Sequence, residues 1–115
     1  MASVPEPTAA PPSTVHAAER TFDGSGIVDA LEEITDDEAA DRRRRGLDIV
    51  VCGEDLATNR HRAARIEGMV GPYTRPQPPH PSAGPYALPH YHQQSRSPDG
   101  HSFYETPKRK ARRRP

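Results

Sequence analysis

With 115 residues, no tryptophan and 32% apolar residues, the chain can support at most one small domain, and its 14 prolines and eight glycines interrupt helices and strands throughout. No apolar stretch approaches the ~18–20 residues of a membrane span, and Met1–Pro12 lacks the basic and apolar regions of a signal peptide. The net charge of zero hides a split: residues 1–41 hold ten acidic residues against Arg20 alone, a balance of −9, and residues 42–115 have a balance of +9. Either the basic half meets a polyanion, or the two halves are oppositely charged solvated flanks.

Residues 1–20, rich in Pro, Ala, Ser and Thr, read as a disordered, partly extended linker. Ile27, Val28, Leu31 and Ile34 recur at helical spacings of three and four, so residues 26–45 are expected to form short helices. The second opens at Asp36-Asp37-Glu38 and ends in Arg42–Arg45, charges that suit the helix dipole. Leu47-Asp48-Ile49-Val50-Val51-Cys52 is a β-branched run and reads as a buried strand. Cys52, the single cysteine, excludes an intrachain disulfide and is read as a small buried hydrophobe.

Gly53 breaks the strand, and Glu54 and Asp55 open a helix. Its apolar face is Leu56, Ala63, Ile66 and Val70, with Asn59, Arg60, Arg62, Arg65 and Glu67 projecting elsewhere. Pro72, Pro76, Pro78, Pro79, Pro81 and Pro85 leave only an extended loop. Residues 86–92 and 101–104 read as two short strands around the turn Ser97-Pro98-Asp99-Gly100. The last segment carries Lys108, Arg109, Lys110, Arg112, Arg113 and Arg114 and reads as a disordered basic tail able to clamp nucleic acid. The expected fold class is a small α+β domain, a strand–helix unit followed by a β-hairpin. It covers residues 46–106, between an acidic, largely disordered lead (1–45) and the basic tail (107–115).

Four of the six histidines, His80, His90, His92 and His101, fall within a 22-residue window. If His92 pairs across the hairpin with His101, then His90, His92, His101 and Phe103 share one face, and a one-residue slip would separate them. Histidine titrates near neutrality, so a pair can act as general base and general acid in one turnover. Attack of an RNA 2′-hydroxyl on the adjacent phosphate needs such a pair, plus cations for the phosphorane charge. Arg96 and Arg75 are candidates for the cations. Tyr91 and Tyr104 are candidates for stacking or hydrogen bonding. No cofactor is required. Two other chemistries stay open: a zinc site on His90, His92 and His101, and a non-enzymatic nucleic-acid adaptor acting through the basic tail.

The segments Asp48-Ile49-Val50-Val51-Cys52, Gly71-Pro72, Pro89-His90-Tyr91-His92 and Gly100-His101-Ser102-Phe103-Tyr104, with helical Asn59, Ala63 and Glu67 between them, resemble the C-terminal toxin modules of bacterial polymorphic toxins of the Rhs/YD-repeat kind. The resemblance spans roughly residues 47–107. It implies a nuclease delivered into competing cells from the cytoplasm of the producer, and an immunity protein that neutralises it. It makes His90, His92 and His101 catalytic candidates, supported by Tyr104 and Ser102. The chain departs from the family in its Met start and acidic lead, because such modules usually follow a long repeat-bearing carrier.

Overall fold

The computed structural model describes residues 12–79 and 83–113. The elements follow as β1 (Ser13–Arg20), β2 (Val28–Ile34), α1 (Asp36–Arg44), β3 (Asp48–Gly53), α2 (Leu56–Val70), β4 (His90–Tyr91), β5 (Ser102–Tyr104) and β6 (Arg112–Arg113). The strands form one mixed sheet in the order β4-β5-β3-β1-β2-β6. This is a small α+β fold, with the strand–helix unit β3–α2 followed by the β4–β5 hairpin, as the sequence indicates.

The supposed lead instead supplies two of the six strands of the sheet. β1 lies between β2 and β3 and is antiparallel to both. Residues 28–34 form a strand where the apolar spacing suggests a helix, because that spacing fits either element over so short a run and pairing with β1 decides it. The overlooked signal is Asp23-Gly24-Ser25-Gly26, a turn whose two glycines take φ of 86° and 79°. The second expected helix does form. Thr35 caps α1: its hydroxyl accepts from the Glu38 N–H at 3.1 Å, while the Glu38 carboxylate accepts from the Thr35 N–H at 3.0 Å. The part of the lead at residues 1–11 lies outside the described residues.

The basic tail is likewise built into the fold. β6 pairs parallel with β2, and Ala111 is buried. Arg112 grips Asp29 with two hydrogen bonds of 2.6 and 3.0 Å. Arg113 reaches Glu105 and the Cys52 sulfur. Arg109 donates to the Pro85 and Ala87 carbonyls, and Lys110 to that of Gly53. Lys108 is exposed, and Arg114 falls outside the described residues. Asp36 in turn holds Arg62 and Arg65. Much of the charge split is therefore complementarity between the two halves of one fold.

The helices cover one face of the sheet. There Val15, Ile49, Val51, Tyr91 and Tyr104 pack against Ala39, Ala40, Ala63 and Ile66. Strand alternation sends Val50, Cys52 and Phe103 to the opposite face, where they meet Ala18, Val28, Ala30, Leu88 and Ala111. The proline-rich segment runs along the outer side of β4. The Gln77 N–H donates to the His90 carbonyl at 2.8 Å, and the His90 N–H donates back at 3.0 Å.

Candidate active site

The β4–β5 ladder pairs His90 with Phe103 and Tyr91 with Ser102. Continued by one residue, this register sets His92 beside His101, so the condition for a shared histidine face is met. The His90 and His101 ring centroids are 4.7 Å apart. His92 lies 6.1 Å from His90 and 6.3 Å from His101, and Phe103 lies 5.6 and 5.2 Å from those same two rings. His80 lies outside the described residues. His16 is structural, tied to Thr14 and to the Leu31 carbonyl.

The same alternation removes Tyr91, Ser102 and Tyr104 from this site, correcting the expectation that they serve it. All three face the helices and are buried, Tyr104 to 4% exposure. The Tyr91 and Tyr104 rings are 5.7 Å apart in the core, and burial pushes both phenols above their ordinary pKa. Arg75 is not among the cleft-lining residues described below; its carbonyl accepts from the Gln77 side chain on the exposed proline-rich segment.

On the helix face, a buried polar network holds the histidine-bearing backbone from behind. Glu67 and Arg43, both 0% exposed, pair at 2.8 Å. The Glu67 carboxylate also accepts from Ser102 Oγ at 2.8 Å and from Gln93 Nε2 at 2.5 Å. The Arg43 guanidinium donates to the carbonyls of Leu47, Asp99 and Gly100. Gln93 and Ser102 directly follow His92 and His101, and Gly100 directly precedes His101. Desolvating an ion pair is costly unless its remaining donors and acceptors are used, as they are here. Gly100 sits at φ 95°, and a Cβ there would stand 2.5 Å from the Arg43 guanidinium. Neither Glu67 nor Asn59 projects from the core as the helical pattern suggests. Asn59 Nδ2 donates to the Gly53 and Glu105 carbonyls.

On the open face, Asp48 at the start of β3 orients His101. Its Oδ1 accepts the His101 backbone N–H at 2.8 Å and lies 3.5 Å from ring Nδ1. That Nδ1 is a buried atom without a hydrogen-bond partner among the described residues. At 3.5 Å the contact is long for a neutral hydrogen bond but within ion-pair reach of an imidazolium. Asp48 Oδ2 accepts from Arg20 Nε at 3.2 Å. Burial alone would raise the Asp48 carboxyl. The approach of His101, by ring and backbone N–H, and the Arg20 charge outweigh burial, so its pKa is lowered.

His90 differs from His101 in its surroundings. Burial, and then the charge of His101, push it down to about 4, so it is neutral at pH 7. Its Nδ1–H donates to the Leu88 carbonyl at 3.3 Å, so the lone pair of the neutral ring is on Nε2. His92 is tied in the same way to the Gln93 carbonyl at 2.8 Å.

Two adjoining depressions open on this face. The larger, about 430 Å³, includes Arg20, His90, Arg96 and His101, with Phe103 and Leu88 in its apolar wall. The smaller, about 260 Å³, holds His92 and shares Arg20, Arg96 and His101. Arg96, one of the candidate cations, lines both depressions. It adopts a left-handed φ of 63°, an uncommon backbone state for a residue other than glycine. Arg20 and Asp48 were missed as site residues, although Arg20 is the only basic residue among the first 41. No group of three or more His, Cys, Asp or Glu side chains among the described residues is arranged to hold a metal ion, and no helix among them is long and apolar enough to cross a membrane. Protein-family models, characterised proteins and solved structures yielded no match to this chain.

Proposed function

We propose that the chain is a metal-independent ribonuclease-type domain, with His90 as general base and His101 as general acid. The observation that carries this reading is the arrangement of the two rings, 4.7 Å apart in one cleft, in unlike environments and flanked by Arg20 and Arg96. Burial keeps the His90 ring neutral, as a general base must be.

In the proposed reaction, neutral His90 Nε2 takes the proton from an RNA 2′-hydroxyl. The 2′-oxygen attacks the adjacent phosphorus, and an O2′–P bond forms. The P–O5′ bond then breaks, and the departing 5′-oxygen takes a proton from the His101 imidazolium. The products are a 2′,3′-cyclic phosphate and a free 5′-hydroxyl. Asp48 keeps the His101 ring oriented and balances its positive charge. Arg20 and Arg96 take up the negative charge that grows on the phosphorane oxygens. His92, in the adjoining depression, is suited to the next phosphate along the strand.

The toxin role rests on the resemblance to Rhs/YD-type modules, and an immunity protein would then cover this cleft. The adaptor reading loses support because Arg109, Lys110, Arg112 and Arg113 are engaged within the fold.

Purified chain incubated with single-stranded RNA in EDTA is expected to cut it. His101→Ala, at unchanged melting temperature, is expected to abolish cutting. Intact RNA in the presence of folded wild-type protein would overturn the proposal. Bacterial toxicity relieved by co-expression of the neighbouring downstream gene is the expected result for the toxin role.

A further inference from the structure

The larger cleft has two chemically different ends. Histidines and arginines form one. The other is apolar, walled by Val28, Leu88 and Phe103, with Phe22 among its lining residues. Phe22 is 94% exposed, the most exposed large hydrophobic residue among those described.

This ring is displayed on a fixed turn. The Asp23 carboxylate accepts from the Ser25 N–H at 3.0 Å, Ser25 Oγ at 2.6 Å and Thr21 Oγ1 at 3.0 Å. The Thr21 N–H closes the turn on the Ile27 carbonyl at 3.0 Å. The turn is also anchored from the side: the Tyr86 N–H donates to the Ser25 carbonyl at 2.9 Å. Gly84, at φ 115°, touches the Gly24–Ser25 backbone so closely that a Cβ there would collide with it. These ties hold the exposed Phe22 ring at the edge of the cleft, contiguous with its apolar wall.

We infer that this apolar end is a nucleobase subsite in which Phe22 stacks on the base of the nucleotide whose phosphate lies between Arg20 and Arg96. The inference rests on the nuclease reading of the same cleft. A nucleotide joins a flat, stackable ring to an anion, which is the polarity of the cleft. The volume of about 430 Å³ suits a ligand of this size. Stacking on an aromatic side chain tolerates any base, so the subsite favours unpaired strands without demanding a sequence.

The test is calorimetric titration of the full chain with adenosine 3′-monophosphate, cytidine 3′-monophosphate and inorganic phosphate, beside RNA cleavage kinetics. Phe22→Ala should weaken both nucleotides about ten- to a hundredfold, leave phosphate affinity and melting temperature unchanged, and raise KM for RNA. Phe22→Trp should retain nucleotide affinity. Equal nucleotide affinity in wild type and folded Phe22→Ala would overturn the subsite even if RNA is cut, and would mark Phe22 as a contact for a protein partner. Phe22-dependent nucleotide binding without cleavage would uphold the subsite and sink the nuclease reading. Binding of phosphate but of neither nucleotide would overturn the subsite.

Discussion

The two faces of the β4–β5 hairpin use the same backbone for opposite purposes. From His101 to Tyr104 the side chains alternate: His101 and Phe103 line the cleft, while Ser102 and Tyr104 lie under the helices. On the helix side a buried Arg43–Glu67 pair joins α1, α2 and the hairpin, and both of its side chains have further hydrogen-bond partners. On the cleft side, Arg20, Arg96 and the imidazoles line two open depressions. One face buries a paired network, and the other turns titratable groups towards an open cleft.

This contrast predicts that substitutions on the two faces fail in different ways. The largest effects belong to the cleft. His90→Ala and His101→Ala should each reduce RNA cleavage by about 10²- to 10⁴-fold with melting temperature little changed. Loss of activity only in step with unfolding would break the distinction.

On the helix face the order reverses. Glu67→Ala leaves Arg43 buried without its counter-charge and should cost about 3–5 kcal/mol in chemical denaturation. Ile66→Ala, a cavity in the same layer, should cost about 2–5 kcal/mol. Where folded protein survives at low temperature, its cleavage rate reports whether the network also positions His101.

The pH dependence separates the faces again. His90 has a folded pKa lowered to about 4 against an ordinary 6.5. A base must be neutral to act, so the acidic limb of kcat/KM should fall near pH 4. The unfolded chain takes up the His90 proton first, so the His90 contribution to stability is full above about pH 6.5 and declines as pH falls towards 4. Wild type and His90→Ala should therefore converge in stability within that window. A parallel decline in both would remove His90 as its cause.

The smallest effect is the most discriminating against the sequence reading. Tyr104→Phe should leave cleavage within about twofold of wild type, because the phenol faces the core. A loss on the order of 10²-fold would restore Tyr104 to the site.

The sequence was most legible where short-range chemistry decides. The strand run at Asp48–Cys52 and the Asp55-capped helix carry local signals, whereas the hydrogen-bonded turn of the hairpin loop lies at Gln93–Arg96, ahead of the expected Ser97–Gly100. Strand alternation makes a shared histidine face possible, but the register that sets His92 beside His101 had to come from the pairing of β4 with β5. Long-range pairing was hidden. Residues 28–34 became a strand only through β1. The arginines at 109, 112 and 113 found partners far away in sequence, and nothing local distinguishes such residues from a solvated tail. Glu67 was read as solvent-facing because its partner, Arg43, lies 24 positions earlier on another helix. Tyr104, one position from Phe103, falls on the helix side by the same alternation that groups the histidines.

The central claim is that this cleft cuts by 2′-oxygen attack with two imidazoles. Its most direct measurement uses a DNA oligonucleotide carrying one ribonucleotide, incubated with the full chain in EDTA, with the product ends identified by mass spectrometry. The expected result is a single cut on the 3′ side of the ribonucleotide, leaving a 2′,3′-cyclic phosphate and a 5′-hydroxyl, with the all-deoxy strand intact. Cleavage of the all-deoxy strand, or no cleavage of either by folded protein, would contradict the claim.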